Sequence, residues 1–436
     1  MSSSFSSSPV AFDFLPPPGP PEKQPARPRS AERHTALLEK QIPLIAICHL
    51  SWDWVWQRPQ QFLSRLAKNH PVLFVETHRT ETPVAFTRTR TARGHPSVTI
   101  LEIHLPSEHW SDGSYIDLER RRVLQDRLAG EFDGRFDGAV LWFNDPMAVT
   151  AYAGRLGERM IVYDCMDELT QFHGAPAELV KREHELTLRA DVIFCGGRAM
   201  REKRLPLNAN THFYGTGVDC EHFGAALSAS LPVDPDVAAL PGPVLGYFGV
   251  VDERIDYTLL AALADAQPDW SIAMVGPFAK IDPARLPRRP NLHWMGARPY
   301  ERLPAITKGF SVCLMPFALN AATEYINPTK ALEYMAAGRP VVSTAINEVR
   351  TNFSAVSRIA RSHEEFIKMC RREIRSPSRL RVQRGLKLAA ENTWEAIAAR
   401  MDGHIEAVLA RQSKARATTV SSPAPLPLPN NQPAYV

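Results

Sequence analysis

The feature that most constrains this chain is a succession of strand-length runs that are apolar at nearly every position. PLIAICHL (43–50), VLFVE (72–76), VTILEI (98–103), AVLWF (139–143), MIVYDC (160–165) and DVIFC (191–195) recur through the first half, with helical patterns between them. A strand with one wet face alternates apolar and polar residues, so a run that is apolar throughout must be covered on both faces. That condition is met by a parallel sheet with crossover helices. After Asp219 the pattern gives way to the Pro-rich LSASLPVDPDVAALPGP (227–243), which reads as an interdomain linker. A second series follows, with strands VLGYFG (244–249), SIAMVG (271–276), LHWMG (292–296), VCLMPF (312–317) and PVVST (340–344). The helical segments DYTLLAALADA, YERLPAITKG and PTKALEYMAAG lie between them. The expected fold class is therefore α/β: two doubly wound, Rossmann-like parallel sheets facing a central cleft, where ligands bind outside the carboxyl ends of the strands.

At 436 residues the chain has room for two such domains. The boundaries read from the patterns are a Ser/Pro-rich tail over 1–40, an N-terminal domain over 41–226, the linker over 227–243 and a C-terminal domain over 244–384. A C-terminal helix packing back across both domains is expected over 385–411, and a second tail over 412–436. Neither tail has the composition to offset its chain entropy by burial, so both are expected to be disordered. Lys plus Arg number 51 against 47 Asp plus Glu, a net charge of +4. That excess is too slight for a protein that coats nucleic acid by charge, so no nucleic-acid partner is expected and any anion site must be local. Six cysteines stand singly with no Cys-x-x-Cys pair, which points to neither zinc nor a disulfide framework but to a reducing cytosol. No apolar run approaches membrane-spanning length and the N-terminus lacks a secretory pattern. The expected location is cytoplasmic, with peripheral contact at the inner face of the membrane as a variant if the arginine clusters at 120–122, 371–375 and 379–384 share one surface.

The most informative segment is NPTKALEYMAAGRPVVST (327–344). Asn327 suits an N-cap, Pro328 the first helical position, and Gly338 followed by Pro340 ends the helix before a buried strand. The first turn of such a helix, with Thr329 in it, offers unpaired N–H groups that favour an anion such as a diphosphate. Lys330, expected at the third helical position, opposes the helix dipole unless an anion is bound nearby. Glu333, one turn on, offers a carboxylate to vicinal hydroxyls such as those of a ribose; an ordinary i, i+3 ion pair with Lys330 is the alternative.

This segment, together with FYGTGVDCEHF (213–223), GYFGVVDERID (246–256) and NLHWMGARPYERLPAITKGFSVCLMPF (291–317), resembles the donor half of glycosyltransferase family 4 (group 1) enzymes with the GT-B fold. The N-terminal half resembles the family more loosely, through SWDWVWQRPQQFLSRLA (51–67) and IVYDCMDEL (161–169). The resemblance covers roughly residues 41–410. It implies transfer of a hexose from a nucleotide-diphosphate sugar to a glycan or lipid-linked glycan acceptor, with retention at the anomeric carbon. No cofactor and no metal are implied, and the setting is assembly of surface polysaccharide.

Lys330 and the helix start would then stabilise the departing diphosphate. Glu333 matches the second glutamate of the family's Glu-x7-Glu pair, which holds the ribose. Tyr325 stands where the first glutamate is expected, with Glu324 beside it, so either residue is a candidate for the donor sugar. Val250 replaces a family arginine after Gly249, and Arg254 lies near the position of a family lysine, which makes it the substitute candidate. Gly249 and Gly276 sit at strand ends, where a missing side chain admits the nucleotide closely. In the N-terminal half, Trp52, Trp54, Trp56 and Arg58 follow the first strand and are candidates for acceptor contact. Among Asp164, Asp167, Glu168 and His173, Asp164 is the first choice for taking a proton from the acceptor hydroxyl. A nucleotide-sugar epimerase or phosphorylase on the same fold, and an inactive scaffold, remain as alternatives.

Overall fold

The computed structural model describes residues 41–54, 56–171, 174–279, 281–320, 323 and 328–420. The first half is built from β1 (Leu44–Cys48), α1 (Arg58–Leu66), β2 (Val72–Thr80), β3 (Phe86–Ala92), β4 (His95–Pro106), α2 (Gly113–Ala129) and β5 (Val140–Phe143). It continues through α3 (Val149–Tyr152), β6 (Met160–Cys165), α4 (Glu178–Arg189), β7 (Val192–Cys195), α5 (Arg198–Arg204) and β8 (Thr211–Phe213). Its strands form one eight-stranded sheet in the order β3-β4-β2-β1-β5-β6-β7-β8. All pairs are parallel except β3 with β4.

The second half contains α6 (Cys220–Gly224), α7 (Pro235–Ala238), β9 (Val244–Phe248), α8 (Tyr257–Ala266), β10 (Ser271–Val275), β11 (Leu292–Gly296), α9 (Leu303–Lys308) and β12 (Val312–Met315). After these come α10 (Lys330–Ala336), β13 (Val341–Thr344), α11 (Asn347–Phe353), β14 (Arg358–Ala360), α12 (His363–Arg375), α13 (Arg379–Glu391) and α14 (Trp394–Val420). Its six-stranded sheet runs β11-β10-β9-β12-β13-β14, all parallel.

The wholly apolar runs have become the strands buried on both faces: β1, β5, β6 and β7 are buried at every position. Successive residues feed opposite cores, as the two-residue period of a strand requires. Ile45, Leu73, Leu101 and Leu141 meet Tyr152 and Leu186 on one face of the first sheet. On the other face Leu44, Phe74, Ile100 and Trp142 meet Phe62 of α1 and Trp394, Ile397 and Met401 of α14. The second sheet packs Leu245, Ile272, Leu314 and Val342 against Leu259, Leu263 and Met335. Among the described residues three strands lie off the apolar runs. The longest is β3, FTRTRTA, an edge strand paired antiparallel to β4, where alternating Thr and Arg are tolerated because one edge of the strand is free.

The C-terminal region, expected as one helix over 385–411, is two. α13 packs against α10, and the chain turns at Asn392–Thr393 before α14 packs against α1. The turn is pinned by a bridge between Val218 and Thr393 and by Trp394, whose ring sits edge-on to Phe62 at 5.2 Å. Arg65 pairs with Glu395 at 2.6 Å, and His70 Nε2 lies 2.8 Å from Asp402. α14 runs to Val420, into the segment expected as a tail. The Pro-rich stretch 227–243 is held against the second domain: Val237 is buried, and Asp234 accepts both Nε and Nη2 of Arg302 at 2.8 and 2.9 Å. Among the described residues no helix is long and apolar enough to cross a membrane.

Trp394 therefore ties the returning helix to the first domain. Its replacement by alanine is expected to cost about 3–5 kcal/mol of stability, measured as a lowered midpoint in urea unfolding. A midpoint equal to that of the unaltered protein would show that α14 does not depend on this anchor.

Candidate active site

In the second sheet the chain leaves β9 toward β10 and β11 on one side and returns to β12, β13 and β14 on the other. The reversal opens a crevice at the carboxyl end of β9, the position at which doubly wound sheets bind ligands. Gly249 stands there with φ +139°, its N–H donating to the Val275 carbonyl at 2.8 Å. The space a β-carbon would need is filled by the Lys330 side chain, whose Nζ would lie 2.6 Å from such an atom. Gly276, at the end of β10 with φ +151°, lies backbone to backbone with Gly249, so that a side chain on it would overlap the Gly249 carbonyl. The two glycines thus allow close packing at the strand ends, Gly276 buried against Gly249 and Lys330 lying where a side chain on Gly249 would be. The Lys330 ammonium stands 5.7 Å from the centroid of the Tyr247 ring.

Lys330 opens the regular helix α10, with Thr329 as its N-cap and no side-chain cap. This corrects the expected start at Asn327–Pro328: Lys330 is the first helical residue, not the third. The expected residues Glu324, Tyr325 and Asn327, and His173 in the first domain, lie outside the described residues. Thr329, Lys330 and Glu333 are each half-buried. Among the described residues neither Lys330 nor Glu333 has an ion-pair partner, so the ordinary i, i+3 pair is not formed. Burial pushes the Glu333 carboxyl up to about 7, against the opposing pull of Lys330. It pushes the Lys330 ammonium down, with Arg254 adding to the effect. A cation and a carboxyl one helical turn apart, both desolvated and unpaired, are suited to a ligand that carries an anion and a hydroxyl pair.

Arg254 follows β9 and is gripped by Asp252: its Nε lies 2.9 Å from both Asp252 oxygens. Any anion must share it with that carboxylate. The Asp167 carboxyl, at the carboxyl end of β6 in the first domain, is near enough for its charge and that of Arg254 to act on each other. Asp167 is exposed at its surface, and the desolvation from the protein around it pushes its carboxyl up, while His49, Arg58 and Arg254 pull it down. Arg254 and Asp167 thus lie within electrostatic reach of one another from different domains.

The other first-domain candidates are placed differently from expectation. Asp164 is completely buried, with Arg58 Nε and Nη2 on Oδ1 at 2.8 and 2.7 Å and Asn144 Nδ2 on Oδ2 at 3.1 Å. Both of its oxygens are engaged, so it is a structural anchor and cannot face an acceptor hydroxyl. Arg58 is buried as well, and its Nη1 donates to the carbonyls of Tyr214 and Gly215 at 2.6 and 3.2 Å, which fastens the segment leading to the second domain. Trp52 is 2% exposed and packs on Phe74, whereas Trp54 is 66% exposed. Trp56 stacks on His95 at 5.4 Å. Glu168 is buried between Lys203 and Arg204. The arginines at 120–122 are engaged internally: Arg120 with Asp145, Arg121 with the Ala151 carbonyl, and Arg122 with Glu119 and Asp126. Sequence reasoning passed over Tyr247 and Asp252. The only signal for Asp252 was its place two residues before Arg254, and Tyr247 read as one more core position of a strand.

Two sheets of this topology meeting at a cleft define the GT-B class, and comparison with known proteins agrees. Solved structures with this fold include the α,α-trehalose-phosphate synthase (UDP-forming) of Burkholderia vietnamiensis, with TM-score 0.63 and 12% identity over 85% of this chain and 100% of that one. The sucrose-phosphate synthase of Thermosynechococcus elongatus gives 0.61 and 15% over 85% and 100%. Anabaena HepE in complex with UDP gives 0.61 and 14% over 84% and 100%. At such identities the likeness establishes the fold alone. Residues 242–372, within the second half of the chain, match the family model described as glycosyl transferases group 1. The Bacillus subtilis protein TuaH, named as a teichuronic acid biosynthesis glycosyltransferase, is 28% identical over 253 residues, 53% of this chain. The chain spans 62% of that curated relative, less than two thirds of its length.

The buried Arg58–Asp164 pair has a measurable consequence. Arg58→Ala leaves a carboxylate in the core without its cation and is expected to cost about 3–5 kcal/mol in denaturant unfolding. A loss under about 1 kcal/mol, the range of an exposed pair, would contradict the anchoring role.

Proposed function

We propose that this protein transfers a hexose from a nucleotide-diphosphate sugar to a glycan or lipid-linked glycan acceptor, with the donor on the second domain and the acceptor on the first. The observation that carries the proposal is the Lys330 ammonium held over Gly249 at the switch point of the second sheet, with the desolvated Glu333 one turn along the same helix. The family match of this domain and the UDP bound to the structurally similar HepE support a nucleotide donor, and make uridine the first base to test. The diphosphate lies against Lys330 at the carboxyl end of β9, and Arg254 meets it from the rim. The ribose hydroxyls donate to ionised Glu333. When the bond from the anomeric carbon to the diphosphate oxygen breaks, Lys330 and Arg254 neutralise the charge that gathers on the leaving group, the role a divalent ion fills in other transferases. The acceptor oxygen bonds to the anomeric carbon from the face the diphosphate leaves, giving retention, and its proton passes to the departing phosphate oxygen. Asp167, within electrostatic reach of Arg254, and the exposed Trp54 hold the acceptor. The name of TuaH supports surface polysaccharide as the product class. With a lipid-linked acceptor, the reaction takes place at the cytoplasmic face of the membrane.

Calorimetric titration with UDP and GDP tests the donor site. One of the two is expected to bind, and Lys330→Ala or Glu333→Ala should each weaken it about ten- to a hundredfold, the ~1.5–3 kcal/mol of a hydrogen bond to a charged group, with the unfolding midpoint retained. Unaltered affinity in both variants would remove the assignment. Product analysis with a panel of donors and acceptors separates transfer from isomerisation.

The pH dependence gives an independent check, best read with a UDP-sugar, whose diphosphate diester does not titrate near neutrality. Glu333 is protonated below about 7 in the free protein, and a ribose prefers the ionised form. Donor affinity should therefore rise as pH increases through that value. In Glu333→Gln the rise should vanish, and a rise of equal size in that variant would assign the titration to another group.

A further inference from the structure

At the opposite end of the second sheet lies an open cavity of about 600 Å³. Pro243, Ser311 and Pro340, which lead into β9, β12 and β13, form one wall, and Arg339, Glu373 and Arg379 bring its charges. The cavity is thus at the amino ends of strands whose carboxyl ends carry the crevice of Gly249, separated from it by the sheet. Its volume falls within the ~300–1,000 Å³ usual for small-molecule sites.

The charges in it do not cancel. Glu373 is already satisfied: Arg358 Nε donates to its Oε1 at 2.6 Å and the Ser378 N–H to its Oε2 at 2.9 Å. Arg339 is half-buried, and its Nε is shielded from solvent with no hydrogen-bond partner among the described residues. Among the described residues its guanidinium also has no ion pair. Burial pushes its pKa down, and no carboxylate acts against that. Arg379 is exposed on the rim, and the first turn of α13, which it opens, holds no acidic residue. The position of Arg339 is fixed by the backbone, since its N–H donates to the Tyr334 carbonyl and that of Gly338 to the Met335 carbonyl, a Schellman ending of α10. A cation so held without a counter-charge is unfavourable until an anion arrives.

We infer that this cavity binds a small organic anion, a phosphate or carboxylate on a sugar-sized body, with the anionic group on Arg339 and Arg379 and the body between the proline rings and Val382. The proline walls favour a ligand with a ring over a bare ion, and Ser311 offers a hydroxyl to it. The site does not depend on the donor crevice, although α10 joins the two, with Lys330 at one end and Arg339 just beyond the other.

Calorimetric titration of the full chain tests the inference with glucose 6-phosphate, glucuronate, inorganic phosphate and glucose as probes. At least one of the two sugar anions is expected to bind, inorganic phosphate more weakly and glucose not at all. Arg339→Gln should weaken the bound anion about tenfold or more, Arg339→Lys should retain most of the affinity, and Lys330→Ala should leave it unchanged. If Arg339→Gln does not fold, Arg379→Gln on the exposed rim should show a smaller loss in the same direction. The inference is overturned if neither sugar anion binds, if folded Arg339→Gln binds as the unaltered protein does, or if Lys330→Ala abolishes binding and so places the anion in the crevice. Equal affinity for inorganic phosphate would overturn the assignment of an organic body.

Discussion

Lys330 can stand at the carboxyl end of β9 because residue 249 has no side chain. A β-carbon there would occupy the volume of the lysine's own Cε, and the buried Gly276 packs directly against the backbone of Gly249. This close approach fixes a cation at the point where the strand order reverses. Around it the electrostatics follow from burial: Glu333 is held toward its neutral form and Lys330 is made less basic, and neither has a partner among the described residues. Such a pair is poorly stabilised in the free protein and is well placed for an anionic, hydroxyl-bearing ligand.

The cleft itself depends on how the chain crosses between the domains. Outward, the crossing follows β8, where the carbonyls of Tyr214 and Gly215 accept from Arg58, which is in turn paired with Asp164 at the end of β6. The return crossing is at Asn392–Thr393, where α13 ends on the second domain and α14 begins on the first, with Trp394 in its core. The two crossings touch, since Val218 bridges Thr393 and a β-carbon on Gly217 would meet the Trp394 ring at 2.7 Å. On the far side α5 meets α11 through the Arg198 N–H, which donates to buried Glu348 at 2.9 Å. Asp167 and Arg254, within electrostatic reach of each other, belong to the two domains that these contacts tie together.

The fold was legible because strands buried on both faces must be apolar throughout, and a run such as MIVYDC or VLFVE has no other stable use in a chain of this composition. FTRTRTA escaped notice for the same reason in reverse, because an edge strand can alternate Thr and Arg and so carries no such signal. The glycines at 249 and 276 were legible as strand ends, whereas the contact of Lys330 with Gly249 was not, since it joins residues far apart in the chain. Capping preferences rank Asn327 and Pro328 as a helix start, yet regular helix begins at Lys330. Asp164 looked like an available carboxylate because its partner, Arg58, lies 106 residues away in sequence. Trp52 and Trp54 could not be told apart in a loop without a period, though one is core and the other is solvent-exposed.

A crystal structure of the protein grown with UDP tests the central claim most directly. The account predicts the diphosphate at the carboxyl end of β9 beside Gly249, within hydrogen-bonding distance of Lys330 Nζ, with both ribose hydroxyls directed at the Glu333 carboxylate. A nucleotide bound away from Lys330, or with its ribose turned from Glu333, would contradict it.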